Sequence, residues 1–205
     1  MITSTPLEPS CFYHIYNRGN NKEAIFRENS NYAYFLKLWK RHISPVADTY
    51  AYCLLGNHFH VLIKIKESIA AEKITDKSRM NRAEQQFANF FNAYAKGFNK
   101  SYNRTGKLFE ERFKKKKVLS NSYFTQLIYY IHANSQRHGF IHDFRDYPHS
   151  SYHSILSDKY TTLLRQAVLE WFVSKEQFEA YHFSLHRQLL DLQHFIIEDE
   201  EDFVY

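Results

Sequence analysis

The chain has 205 residues and a mass of 24.7 kDa, room for one domain with an appendage or for two small domains. With 44% hydrophobic residues, 16 Tyr, 18 Phe and 2 Trp it can bury a sizeable core, and only 5 Gly and 4 Pro exclude collagen-like and Pro/Gly-rich disordered classes. Lys plus Arg number 27 against 22 Asp plus Glu, a net charge of +5, so the distribution of positive charge says more than its total.

Cys11 and Cys53 are too few for a disulfide framework and lack CxxC spacing, which fits a reducing compartment. The N-terminus has no basic region followed by an apolar run, and no stretch reaches the roughly 18 apolar residues a membrane span needs. A soluble cytoplasmic protein without membrane partners is the expectation.

Along the chain, Phe12 to Tyr16 reads as a strand ended by the turn cluster Asn17-Arg18-Gly19-Asn20-Asn21. A helix follows, capped by Asn29 or Ser30, with Tyr32, Phe35, Leu36 and Trp39 at helical spacing. Thr49 to Leu55 and His58 to Lys66 read as two strands joined by the Gly56-Asn57 turn. Alternation puts Phe59, Val61, Ile63 and Ile65 on one face of the second, and His58, His60, Leu62 and Lys64 on the other. Residues 67 to 81 read as a loop or weak helix.

Arg82 to Tyr102 reads as a long helix with an aromatic face of Phe87, Phe90, Phe91, Tyr94 and Phe98. After the turn at 103–106, Leu108 to Leu119 reads as a charged strand, and Ser120-Asn121-Ser122 caps a helix from about Tyr123 to Asn134. The first six elements follow the split βαβ, ferredoxin-like order: an α+β fold with an antiparallel sheet and two helices on one face. Beyond Tyr152 come a helical run near Leu163 to Phe172, a capping box at Ser174 to Gln177 and an amphipathic helix through Phe178, Tyr181, Leu185, Leu189, Leu192 and Ile196. The acidic run Glu198 to Asp202 reads as a solvated tail.

Three sets of residues carry chemistry. His58 and His60, two apart on a strand, point the same way and can share a divalent ion. Tyr130 and Asn134 are one turn apart on a helix; a phenolic oxygen can act as a nucleophile, and an amide oxygen can complete a metal site or position a phosphate. Lys96, Lys100, Arg104, Lys107, Arg112, Lys114, Lys115, Lys116 and Lys117 crowd a short stretch with Phe98, Tyr102, Phe109 and Phe113 between them. Cations that neutralise phosphates beside rings that stack on bases suit single-stranded nucleic acid. Two other patterns carry little: His182 and His186 lack the Glu of a metalloprotease, and His149-Ser150-Ser151 with His182-Phe183-Ser184 is a loose echo of two-histidine phosphoesterases.

An ordered set of motifs resembles the REP-associated tyrosine transposases, relatives of the single-tyrosine insertion-sequence transposases in the HUH endonuclease group. It comprises Tyr13-His14-Ile15-Tyr16-Asn17-Arg18-Gly19, the run Tyr52 to Ile63 around Gly56-Asn57-His58-Phe59-His60, Gly106 to Phe113, Tyr130-Ile131-His132-Ala133-Asn134 and Ser150-Ser151-Tyr152. One departure is Ser135, where the family usually has Pro after the helix Asn. The resemblance implies a ferredoxin-like fold with Mg²⁺ or Mn²⁺ on His58, His60 and Asn134, and Tyr130 as the nucleophile that leaves a 5′-phosphotyrosine and a free 3′-OH. Arg18 and the basic segment would hold single-stranded or hairpin DNA.

The expected organisation is a catalytic domain over 1–157 and a C-terminal helical extension with an acidic tail over 158–205. Two rival readings stand beside it: a nucleic-acid-binding protein on the same fold that no longer turns over, and a metal-dependent phosphoesterase for small molecules. A site within one chain and a site shared across a homodimer are both open at this point.

Overall fold

The computed structural model describes residues 6–68, 82–110 and 112–191. Four strands, β1 (Phe12–Arg18), β2 (Ala47–Leu55), β3 (His58–Ile65) and β4 (Lys114–Lys117), form one sheet in the order β2-β3-β1-β4, every neighbouring pair antiparallel. Helix α1 (Asn29–His42) connects β1 to β2, and α2 (Arg82–Ser101) connects β3 to β4. This is the ferredoxin-like arrangement, with β1 and β3 central.

The alternation read from β3 decides which side faces what. Phe59, Val61, Ile63 and Ile65 join Tyr13 and Ile15 of β1 in a core roofed by Phe35 and Trp39 of α1 and by Phe87, Phe90, Tyr94 and Phe98 of α2. At Gly97 an added Cβ would meet the Tyr34 ring at 2.6 Å, so the missing side chain lets α1 and α2 lie close. The opposite face is also covered. Helix α3 (Asn121–Arg137) packs there, followed by α4 (Tyr152–Leu156), α5 (Arg165–Phe172) and α6 (Lys175–Asp191). Their Leu127, Ile131, Ile155, Val168, Phe172 and Phe178 share a second core with Ala51, Cys53 and Leu62 of the sheet. Among the described residues no helix is long and apolar enough to cross a membrane.

Several boundaries and one core position differ from the sequence expectations. Asn17 and Arg18 are strand, not turn, because they pair with Phe59 and His58. The charged strand shrinks to four lysines: Leu108 and Phe109 are consecutive yet both join the core on the α1/α2 side, which departs from strand alternation, and Phe109 only bridges Gly19. Glu28, rather than Asn29 or Ser30, is the N-cap of α1, and Asn31 Oδ1 accepts from the Arg27 and Glu28 N–H groups. Leu38 takes the core position expected of Leu36, which is 36% exposed.

Helix α3 starts as read, with Ser120 Oγ accepting from Tyr123 N at 3.2 Å. It runs past Ser135 to Arg137 and stops in a Schellman turn: Phe140 N bonds Ser135 O and Gly139 N bonds Gln136 O, both at 2.9 Å, with Gly139 at φ +70°. Helix α6 has the Ser174 half of its capping box, with Ser174 Oγ accepting from Gln177 N. Leu192, Ile196 and the acidic run lie outside the described residues, as do 69–81.

Candidate active site

Cross-strand partners share a face, so the register defines rows across the sheet. One row is Lys114–Tyr16–His60–Cys53, the next is Arg18–His58–Leu55, and His14 stands between Lys116 and Leu62. This face, roofed by α3, holds the histidine pair. His58 and His60 are 5% and 1% exposed, with ring centroids 5.3 Å apart.

Helix α3 presents one stripe to the pair. The Tyr130 ring lies 5.7 Å from His60 and 6.0 Å from His14, and the His138 ring lies 4.7 Å from His58. Positions 130, 134 and 138 step by four along one helix face, so Asn134 sits between these two contacts. Asn134 is fully buried, and its Nδ2 donates to the Tyr130 carbonyl at 2.7 Å, which fixes Oδ1 as the presented atom.

Hydrogen bonds orient the imidazoles. His58 Nδ1 donates to Asn57 Oδ1 at 2.6 Å, placing the ring's lone pair on Nε2. His60 Nδ1 lies 2.9 Å from His14 Nε2; with His60 donating, its lone pair is on Nε2 as well. Burial, then the charges of His138 and Arg18, pull the His58 pKa down to about 3. Burial, then His14, His58 and His138, holds His60 well below the usual value. Both rings are therefore neutral at pH 7, the form that binds a metal.

Among the described residues, the buried side-chain atoms that make no hydrogen bond are His58 Nε2, His60 Nε2 and Asn134 Oδ1. Two imidazole nitrogens and one amide oxygen on neighbouring elements fit a divalent ion with mixed N/O preference. Among the described residues, no group of three or more His, Cys, Asp or Glu side chains could hold one.

Tyr129 is separated from this site. Its hydroxyl pairs with His186 Nδ1 at 2.9 Å, and burial, slightly offset by Arg137, pushes its pKa up to about 12. Tyr130 is only partly buried, with the Arg137 guanidinium 5.4 Å from its ring centre. At the rim, Phe140 is 44% exposed and 6.3 Å from the His58 ring.

The structure divides the expected DNA-binding cations. Lys114, Lys116 and Arg18 lie on the site face. Lys115 and Lys117 point to the other side and pair with Glu84 at 2.5 Å and Glu8 at 2.7 Å. Arg104 pairs with Glu23, Arg18 with Glu110, and Lys96 and Lys100 are exposed on α2, across the sheet from the histidines. Lys107 and Arg112 are exposed between α2 and β4. Sequence reasoning passed over His14 and His138 as parts of the site. His14 is two residues from Tyr16 and on its face, a usable signal; His138 lay beyond the expected helix end.

Fold and site together define a ferredoxin-like α+β protein whose central strand presents paired histidines to a tyrosine and an asparagine on one covering helix. Among solved structures it is similar to that of a REP-associated tyrosine transposase bound to a REP hairpin, with a TM-score of 0.54 over 79% of this chain and 88% of that chain, at 14% identity. No protein-family model and no curated protein matches the sequence.

Proposed function

We propose that the chain is a metal-dependent endonuclease and strand-transferase for single-stranded DNA, of the tyrosine transposase type, acting at hairpin or palindromic repeat DNA. The observation that carries this reading is the placement of the Tyr130 ring 5.7 Å from His60 on the helix face that also bears buried Asn134. Two pairs of residues far apart in sequence, His58 with His60 and Tyr130 with Asn134, converge on one face of one sheet, beside a lysine-bearing edge strand. The protein of the similar structure is bound to a REP hairpin, which favours hairpin DNA here.

His58, His60 and Asn134 would hold Mg²⁺ or Mn²⁺, which when bound supplies charge stabilisation at a phosphate. In the step itself the Tyr130 oxygen attacks phosphorus and gives up its phenolic proton. The bond from phosphorus to the 3′ oxygen breaks, and that oxygen is protonated, leaving a 5′-phosphotyrosine and a 3′-OH. The diester energy is retained in the link, so a second 3′-OH can reverse the step and join new ends. Arg137, over the Tyr130 ring, places a positive charge beside the attacking group.

The test incubates labelled hairpin oligonucleotides with the protein and Mn²⁺ and reads a denaturing gel. Label migrating with the protein, lost with EDTA and in Tyr130→Phe, supports the reading. Tight hairpin binding without an adduct across varied flanking sequences overturns it in favour of a binding protein, and hydrolysis of small phosphodiesters without an adduct overturns it in favour of a phosphoesterase.

A further inference from the structure

The side of α3 turned away from the sheet carries a buried chain of hydrogen bonds that the proposed chemistry does not use. His182 Nδ1 lies 2.8 Å from the Phe178 carbonyl, His182 Nε2 lies 2.9 Å from His132 Nδ1, and His132 Nε2 lies 2.8 Å from Ser151 Oγ, which accepts from Tyr52 N at 2.9 Å. His132, Ser151 and His182 are each at most 1% exposed. A carbonyl can only accept and a backbone N–H can only donate, so with both rings neutral a single proton arrangement satisfies every member. His182 donates to Phe178, His132 donates to His182, and Ser151 donates to His132. A second rung joins Tyr129 to His186.

Positions 129 and 132 on α3 meet 186 and 182 on α6, so two rungs one turn apart join the helices in antiparallel order. Two rungs fix both the rotation of α3 about its axis and its axial register, which one contact cannot. At about 100° per residue, His132 lies about 180° around α3 from the midpoint of Tyr130 and Asn134. Any rotation of α3 that the His132 rung permits is transmitted to the site side.

We propose that His132 and His182 are positioning residues, through which the C-terminal helix α6 sets where Tyr130 and Asn134 stand against His58 and His60. The consequence for catalysis rests on the reading of Tyr130 as the nucleophile; the consequence for geometry does not.

The test uses the full chain with 3-fluorotyrosine at position 130, read by ¹⁹F NMR, alongside the adduct assay. His182→Phe keeps an aromatic ring against Phe178 but leaves the His132 N–H buried without an acceptor, whereas His182→Gln restores an acceptor oxygen. The expected result for His182→Phe is a displaced or split ¹⁹F resonance, hairpin affinity held within about threefold and an adduct rate at saturating DNA about 10- to 100-fold lower, since small misplacements of reacting groups cost that much. His182→Gln returns resonance and rate to near wild type. A wild-type resonance in His182→Phe overturns the proposal, as does a His182→Gln variant displaced as far as the Phe variant. If His182→Phe does not fold, Tyr129→Phe decides by removing the other rung, and an unmoved resonance there overturns the proposal. Wild-type protein that forms no adduct overturns the functional reading alone, because the ¹⁹F comparison still decides the positioning.

Discussion

Tyr129 and Tyr130 carry the same phenol one residue apart, and about 100° of helix separates their fates. Tyr130 turns to the sheet histidines, while Tyr129 turns to α6, bonds His186 and is held protonated by burial. Tyr130→Phe is therefore expected to abolish the covalent adduct while hairpin affinity, measured by gel shift, stays within about threefold, because a lost phenol oxygen removes no phosphate charge contact. Tyr129→Phe is expected to retain the adduct, slowed by about fivefold or less as a modest misplacement. An adduct in the first variant, or none in the second, would reassign the nucleophile. The ligand set carries its own prediction. Two neutral imidazoles and an amide bring no negative charge, so a divalent ion held by these three groups would draw in phosphate oxygens to complete and neutralise its shell. Mn²⁺ affinity, followed by electron paramagnetic resonance with Tyr130→Phe, is expected to rise about tenfold or more when hairpin DNA is added, and by linkage DNA affinity rises equally with Mn²⁺. Equal Mn²⁺ affinity with and without DNA would remove the phosphate from the metal's shell.

Strand β4 is four consecutive lysines, and the pleat sorts them. Lys114 and Lys116 share the site face with Tyr16 and His14, and Lys114 stands two strands, about 10 Å, from His60. Lys115 and Lys117 face the α1/α2 side, Lys115 in a mostly buried pair with Glu84. Replacing Lys114 and Lys116 together by Ala is expected to weaken single-strand binding and to lower the salt slope of log K by about 1.4, two contacts at about 0.7 each. Lys115→Ala should leave that slope unchanged and instead destabilise the fold by about 1–3 kcal/mol, through the carboxylate left behind in Glu84. Titrations over a salt series and urea melts check both, and a slope lowered by Lys115→Ala alone would place the DNA elsewhere. This sorting also marks what was legible in the chain. The face of β3, the aromatic stripe of α2 and the cap of α3 follow from local periodicity and were readable. The lysines read as one basic patch, because charge density carries no information on which side of a four-residue edge strand each residue falls until β1 is paired with it. His14 and His138 were missed for the same reason: they join the site only through register and helix packing, not through spacing along the chain.

At the scale of the molecule, residues 163–178 bury Leu163, Val168, Leu169, Phe172 and Phe178 in the same core as α3 and the site face of the sheet. The C-terminal helices are thus a roof over the helix that bears Tyr130, and the roof is fastened by histidines. His132 and His182 beneath it, with His58 and His60 on the sheet, are all buried with pKa values lowered chiefly by burial, His182 to about 4 and His58 to about 3. A histidine whose folded pKa lies below its unfolded value of about 6.5 binds its proton more readily in the unfolded chain. Its contribution to stability is full above pH 6.5 and is lost as the pH falls from there toward the folded pKa. Each such group gives a slope of about 1.4 kcal/mol per pH unit, so four together approach about 5 kcal/mol per unit, comparable with a typical total stability of about 5–15 kcal/mol. The protein in EDTA is therefore expected to lose several kcal/mol of unfolding free energy between pH 7.5 and 5.5, read from urea melts, and to unfold near pH 4–5.5. His182→Gln, which removes one titrating ring and leaves His132 an acceptor, should flatten the slope by about one group's share. A stability that is level across this range would mean that the buried histidines keep their unfolded pKa values, and that the buried chain joining α3 to α6 takes up a proton without breaking.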